Sequence, residues 1–440
     1  MAMATKKLKT VQLAAIIFLT VSGGPYGLEP LLTYAGNNAA LLLLLVTPLL
    51  WDIPSIFTVL ELNSMMPVTG GYYQWVKRAL GLRWAFFEGW WTWLYTFVDL
   101  AIYPVLFVEY ASFFFPQLQA YKIPVCLVII WSSAALNIRG IVPVGKASIF
   151  LGAVVLIPFI VLFVTAIIKY SGHIYIPAQT ISGHSFSSIG LAFYTIMWNF
   201  IGWDNTTTYA EEVDKPGKSY LASIVIAFLI VIIIYLIAVL ISIQSGITAE
   251  ALNASGFPSL GTLVGGRWLG AMIAAGGMAS ALGLYSAVLL SVSRVPQVMA
   301  TDKLLPKKLS VLHPTFNSPY ISILTCSVVV SFMVLWTFAD LLIIDVTVYG
   351  AALFLEYITL IKLRIIAPDE ERPFKIPFNV AGLCVMALLP LAIYVIALAA
   401  AFTSQASTIT PAIFALATLL TAEVMWRVIN AGNRLTSKKS

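Results

Sequence analysis

The sequence predicts an all-α integral membrane protein of twelve transmembrane helices, built as two inverted halves of five plus two accessory helices. Three observations carry that prediction. Of 440 residues, 60% are hydrophobic and only 10% charged, whereas soluble domains are about a quarter charged. The basic residues are distributed very unevenly between alternate connections. Finally, two of the predicted helices, the first and the sixth, are interrupted near their middles.

A span needs roughly 20 apolar residues. Breaks at charged or Gly/Pro-rich points give segments near 10–36, 39–62, 84–114, 123–138, 146–169 and 187–210. The remaining six lie near 219–243, 267–300, 319–337, 340–365, 381–402 and 408–430. Residues 376–422 carry no charge, too long a run for one span, so the polar stretch Ser404-Gln405-Ala406-Ser407-Thr408 is expected to turn between two. The loops 62–83, 244–266 and 301–318 are too short for a second fold, so the chain is one transporter-sized membrane domain. Pro67 to Trp75 is too polar to span and is expected to lie at the membrane surface.

Lysines and arginines orient the spans. With the N-terminus inside, 22 of the 25 fall on inner segments and only Lys122, Lys169 and Arg267 on outer ones. That bias places both termini in the cytoplasm. Lys6, Lys7 and Lys9 ahead of the first apolar run resemble a signal peptide, but a retained first helix fits the later spans better. The net charge of +6 therefore reports topology rather than nucleic-acid binding.

In the first span, Ser22, Gly23, Gly24, Pro25, Tyr26, Gly27 and Glu29 sit where an uninterrupted helix should run. Paired glycines before proline break a helix, and backbone groups freed at membrane depth must line a cavity. The sixth span carries Asn199, Phe200, Gly202, Trp203 and Asp204 at the matching place. The breaks are five spans apart. Five is odd, so the unit 187–365 inserts upside down relative to the unit 10–169. Interrupted helices in corresponding positions of inverted halves mark a transporter's binding site. The pair at 381–430 lies outside the repeat and is expected to pack or dimerise.

These residues resemble the amino acid–polyamine–organocation superfamily, whose fold is the LeuT-like five-plus-five inverted repeat with helices 1 and 6 broken. Ser22 to Glu29 carries the likeness first. Glu61 with Pro67, Gly70, Gly71, Tyr72, Tyr73 and Trp75 extends it, as do Asp99 to Phe107 and Asn137-Ile138-Arg139-Gly140. Trp203-Asp204 with Glu211-Glu212-Val213, and Glu356-Tyr357 leading to Arg372-Pro373-Phe374-Lys375-Ile376-Pro377, are similar to the polyamine and L-type amino acid branch. The resemblance implies a permease bound to its substrate between helices 1, 3, 6, 8 and 10, with polyamines such as putrescine or spermidine first and amino acids second. Two departures from the plant branch stand out: Pro30 follows Glu29 in place of a second acid, and Lys146 opens helix 5 in place of an apolar residue. In proton-coupled relatives a lysine near this point replaces a bound sodium ion. Lys146 is thus a candidate coupling residue, with proton coupling favoured over sodium, or else a snorkelling anchor.

Seven intramembrane carboxylates bear on the substrate: Glu29, Asp52, Asp99, Glu109, Asp204, Asp345 and Glu356. Each costs about 3 kcal/mol at a helix centre. Glu29 and Asp204 flank the breaks, and Asp99 has Tyr103 one turn later on its face. Carboxylates with aromatics suit an alkylammonium; an amino acid would instead lay its carboxylate on the N–H groups of Gly23 and Gly24. Glu109 and Asp345 read as solvated outer helix ends and Glu356 as the partner of a cytoplasmic-side base, while Asp52 reads equally as a backbone acceptor or as a cavity-facing acid.

Other function classes fare worse. Cys126, Cys326 and Cys384 form no Cys-x-x-Cys pair and read as small buried hydrophobes, and His173, His184 and His313 lack zinc spacing. No nucleophile cluster supports an intramembrane enzyme, no filter loop supports a channel, and no cofactor is implied. The expected partners are a small-molecule substrate and the bilayer of the plasma membrane, with no nucleic acid.

Overall fold

The computed structural model describes residues 7–170, 185–334, 338–403 and 406–437. His173, His184, Ser404 and Gln405 lie outside them. The described residues are almost wholly helical, with β pairing limited to isolated bridges from Leu8 to Val213 and from Thr69 to Tyr209.

Helix α1 (Thr10–Val21) ends at the first break, and α2 (Pro30–Thr47) resumes beyond it. Gly36, at φ 69°, turns the chain inside α2 between the first two predicted spans. A π-helical turn at Pro48–Asp52 leads into α3 (Ile53–Met65). The amphipathic α4 (Gly71–Leu80) precedes α5 (Leu82–Ala111), α6 (Lys122–Ile138) and α7 (Ile141–Lys169). Then come α8 (Phe186–Trp198), the second break, and α9 (Pro216–Ser245). Next, α10 (Ala249–Gly265) is kinked at Gly256, and α11 (Arg267–Val292) passes through Ser293 into α12 (Arg294–Thr301). The chain closes with α13 (Tyr320–Met333), α14 (Phe338–Ile366), α15 (Val380–Thr403) and α16 (Ala406–Ser437).

Nine helices among the described residues are long and apolar enough to cross a membrane, and α1, α8 and α13 are shorter apolar helices. Burial separates centre from rim. In α5, α11 and α14 83% of the apolar window is buried, against 33% in α6, α7 and α15 and 17% in α16. The rim helices turn Val128, Phe150, Ile168, Phe332 and Leu420 outward, the surface a lipid solvent requires.

The α4 expectation needs correcting. Tyr72, Tyr73, Trp75 and Val76 are fully buried, so the aromatic face packs into the bundle against α5 and α14 rather than resting on lipid. Its polar face makes ion pairs, Lys77 with Asp302 at 2.7 Å and Arg78 with Glu370 at 2.7 Å. Every ion pair among the described residues joins segments predicted to share the basic face. Cys126 and Cys326 are buried as expected, but Cys384 is exposed on α15.

Candidate functional site

The first break is held by glycine geometry. Gly23 has φ 59°, and a Cβ there would stand 2.6 Å from the Ser280 hydroxyl and 2.8 Å from Leu284. Both the left-handed backbone and the close approach exclude a side chain. Three of the N–H groups freed by the break, those of Gly23, Gly24 and Gly27, are taken within the chain. Gly23 N donates to Phe18 O at 2.8 Å, Gly24 N to Ser22 Oγ at 3.0 Å, and Gly27 N to Glu29 Oε2 at 2.6 Å. The expected carboxylate cradle at Gly23 and Gly24 is therefore filled from within the chain.

The second break spans Asn199 to Asp204, with Gly202 at φ 100°. The two breaks touch. Asn199 Nδ2 donates to Gly27 O at 3.3 Å, and the Trp198 ring lies where a Cβ on Gly27 would be, 2.6 Å away. Tyr349 on α14 holds the far half of the loop twice: its hydroxyl donates to Asp204 Oδ1 at 2.9 Å and accepts from Gly202 N at 3.3 Å.

A cavity of about 10 Å³ lies where the breaks meet α5, room for about one water. Ser22, Asp99, Tyr103, Trp198 and Asn199 line it, with Tyr95 and Asn205 below. Tyr103 donates to Asp99 Oδ2 at 2.5 Å, leaving Oδ1 buried without a hydrogen bond. Asp345 faces Asp99 from α14; it is fully buried, and neither oxygen has a hydrogen bond of regular geometry. The two carboxyls are close enough to repel, and the Trp198 indole is within reach of both.

The remaining predicted residues are distributed around this centre. Tyr26 is buried but does not line this cavity; its hydroxyl donates to Ile273 O at 2.7 Å and its ring is edge-on to Tyr110. Glu29 accepts from Tyr110 at 2.9 Å and lines a separate cavity of about 600 Å³, together with Glu109, Asn253 and Gly256. That cavity opens on the face opposite the basic one. Phe200 and Trp203 turn away from the centre. Phe200 packs on Tyr235, and Trp203 donates to Asp52 Oδ1 at 3.1 Å. Lys146 is exposed on the first turns of α7 and lines neither cavity.

Two sequence expectations are overturned. Asp345 is no solvated helix end, because α14 begins two turns earlier at Phe338 and carries it into the centre. Glu356 has no basic partner; the nearby arginines Arg364 and Arg372 turn to Glu61 instead. Glu356 lies against Asp204, and Glu88 on α5, overlooked in the sequence, interacts with both. A spacing signal existed for Glu88: it lies three turns before Asp99 on one helix face.

On the basic side a layer of contacts lies between the site and a cavity of about 810 Å³ lined by Lys7, Arg139, Glu212 and Arg294. Leu8 N donates to Glu212 O and Asp214 N to Leu8 O, both at 2.9 Å, while Gly70 N donates to Thr208 O at 2.8 Å. Arg294, almost fully buried, pairs with Glu212 at 2.6 Å and stacks over Tyr209. At the rim, burial and then its bond to Asp302 push the Tyr73 phenol well above the usual tyrosine range.

Two broken helices meeting around buried acids, with a cavity towards each face, define a multi-pass membrane transporter of small molecules. The comparisons give its kind. The chain belongs to the amino acid permease family, whose model matches residues 8–422. It is 35% identical over 407 residues to a probable polyamine transporter of Arabidopsis thaliana, covering 90% of this chain and 83% of that one. A polyamine transporter of Oryza sativa subsp. japonica is 32% identical, with 88% and 73% covered. A serine/threonine exchanger of Bacillus subtilis is 24% identical, with 82% and 84% covered. The protein is a transporter and not an enzyme.

Proposed function

We propose that the chain is a polyamine permease of the plasma membrane, with twelve spans in the LeuT-like arrangement and both termini in the cytoplasm. The halves 10–169 and 187–365 alternate access to a site between the broken helices, and 381–430 is accessory. The observation that carries the substrate reading is the Asp99–Asp345 pair. These facing acids are buried at the junction of the breaks, and no Lys or Arg among the described residues pairs with either.

Buried carboxylates of this kind are expensive unless a cation or a proton neutralises them. An ammonium group does so while Tyr103 and Trp198 supply ring faces. A zwitterionic amino acid brings no net charge and would need free amides for its carboxylate, which break 1 uses internally. In this conformation the Leu8–Glu212 and Gly70–Thr208 contacts separate the site from the basic-side cavity, and the Glu29 cavity lies on the other side. Glu29 and Glu109 there would attract cations before entry. The relatives' names support the same substrate class.

Amino acid transport is the second reading, supported by the exchanger among the relatives and requiring proton coupling or exchange. Uptake into proteoliposomes of labelled putrescine and of a panel of amino acids separates the two. Putrescine should enter, and Asp99→Asn should cut its uptake at least tenfold. Entry of serine or alanine without putrescine would overturn the polyamine reading.

A further inference from the structure

Helices α5 and α14 pack against each other, and their acids face each other in antiparallel register. On α5, Glu88 and Asp99 are 11 residues apart; on α14, Asp345 and Glu356 are separated by the same 11. Eleven residues are three helical turns, so each pair shares a face, and the levels lie roughly 16 Å apart along the axis. Between them Tyr95 and Tyr349 meet edge to face with ring centroids 5.3 Å apart. The seam thus has an upper acid level, Asp99 with Asp345, and a lower one, Glu88 with Glu356. Asp204 reaches in from the second break beside Glu356, held by the Tyr349 hydroxyl.

The lower level is built like a site but has no visible occupant class among its neighbours. Glu88 and Glu356 are fully buried, and none of their four oxygens has a hydrogen bond of regular geometry. The Tyr72 hydroxyl comes from a different element, α4, into the same pocket. It too is buried without a regular hydrogen bond, beside Thr92 and within reach of all three acids. No Lys or Arg among the described residues pairs with any of them. The contrast with Glu61, near the same face, is direct. Its carboxylate takes Arg364, Arg372 and the Ile376 N–H, so a structural acid in this protein is fully compensated.

We propose that Glu88, Glu356 and Asp204 form a second ammonium subsite, so that a linear polyamine is held at both acid levels of the α5–α14 seam. The proposal rests on the cationic reading of the upper site and names the substrate more narrowly. Extended chain covers roughly 1.2 Å per bond, as peptide backbone does, so putrescine with five bonds between its end nitrogens reaches about 6 Å, spermidine with nine about 11 Å and spermine with thirteen about 16 Å. Putrescine engages one level at a time. Only an amine of spermine's length places charges on the upper pair and on Glu88 and Glu356 together. Tyr95 and Tyr349 close the seam between the levels in this conformation, so the lower subsite fills when those rings part.

The test compares putrescine with spermine in proteoliposomes holding the full chain. Glu88→Gln and Glu356→Gln should raise the KM for spermine at least fivefold more than the KM for putrescine. An equal change for both amines would overturn the subsite. So would a loss of pH dependence with an unchanged spermine-to-putrescine ratio, which would make these acids proton carriers. If the glutamine variants do not fold, thermal stabilisation of the unmodified protein by α,ω-diamines of about 4 to 12 carbons decides. Affinity should rise again once the chain is long enough to reach the lower acids, and a steady decline beyond the shortest chains would overturn the proposal. Failure of the cationic reading is separately visible, since the unmodified protein would then take up neither amine.

Discussion

Asp345 and Glu61 are both completely buried, and their surroundings set their roles apart. Glu61 is saturated by two arginines and a backbone N–H, so removing its charge strands buried guanidinium groups. Glu61→Gln should destabilise the protein by about 3 kcal/mol, the cost of breaking a buried pair, read as a lower melting temperature in detergent. The relative uptake of different substrates should stay as it was. Asp345 has no such partner, so Asp345→Asn should leave melting unchanged or raise it while cutting putrescine uptake at least tenfold. A fall in both together would make Asp345 structural. The two residues also show where sequence reasoning stops. Asp99 was legible because Tyr103 follows it at helical spacing. The depth of Asp345 was not, because a span start near residue 340, within two residues of the observed Phe338, does not say that the bundle already closes around its second turn. Glu88 and Glu356 become a pair only when two helices that begin 256 residues apart in sequence pack in register, and no local pattern states that register.

At the scale of elements, the breaks were written in the chain and the gate was not. Gly/Pro punctuation and polar residues in apolar segments announce a discontinuous helix directly. Gly23→Ala should abolish uptake and lower the yield of folded protein. The left-handed backbone alone costs about 1 kcal/mol, and the new methyl would stand 2.6 Å from Ser280. The basic-face gate, in contrast, is assembled from the segment before α1, the start of α4, the turn after the second break and α12. Each of those stretches looks like an ordinary loop by itself. Arg294→Gln leaves Glu212 unpaired and should loosen this gate by about 2 kcal/mol, less than a fully buried pair because Glu212 is 35% exposed. Faster hydrogen exchange at 209–213 with unchanged exchange in α11 is the expected signature. Uniform acceleration throughout would mean general unfolding instead.

For the whole molecule, composition and the distribution of lysine and arginine gave the membrane setting and a self-consistent basic face. The ion pairs among the described residues, all on that face, agree with it. The central claim is that uncompensated buried acids select a cation, and the driving force follows from it. A potential of 100 mV contributes about 2.3 kcal/mol per charge, so a doubly charged amine gains about 4.6 kcal/mol, more than a thousandfold accumulation. A net-neutral amino acid gains nothing from voltage alone. The most direct measurement is therefore the steady-state accumulation of putrescine in proteoliposomes at equal pH on both sides, with the membrane potential imposed and varied. Accumulation should rise steeply as the interior is made negative and vanish at zero potential. Voltage-independent uptake of putrescine, or uptake of neutral amino acids alone, would contradict the account.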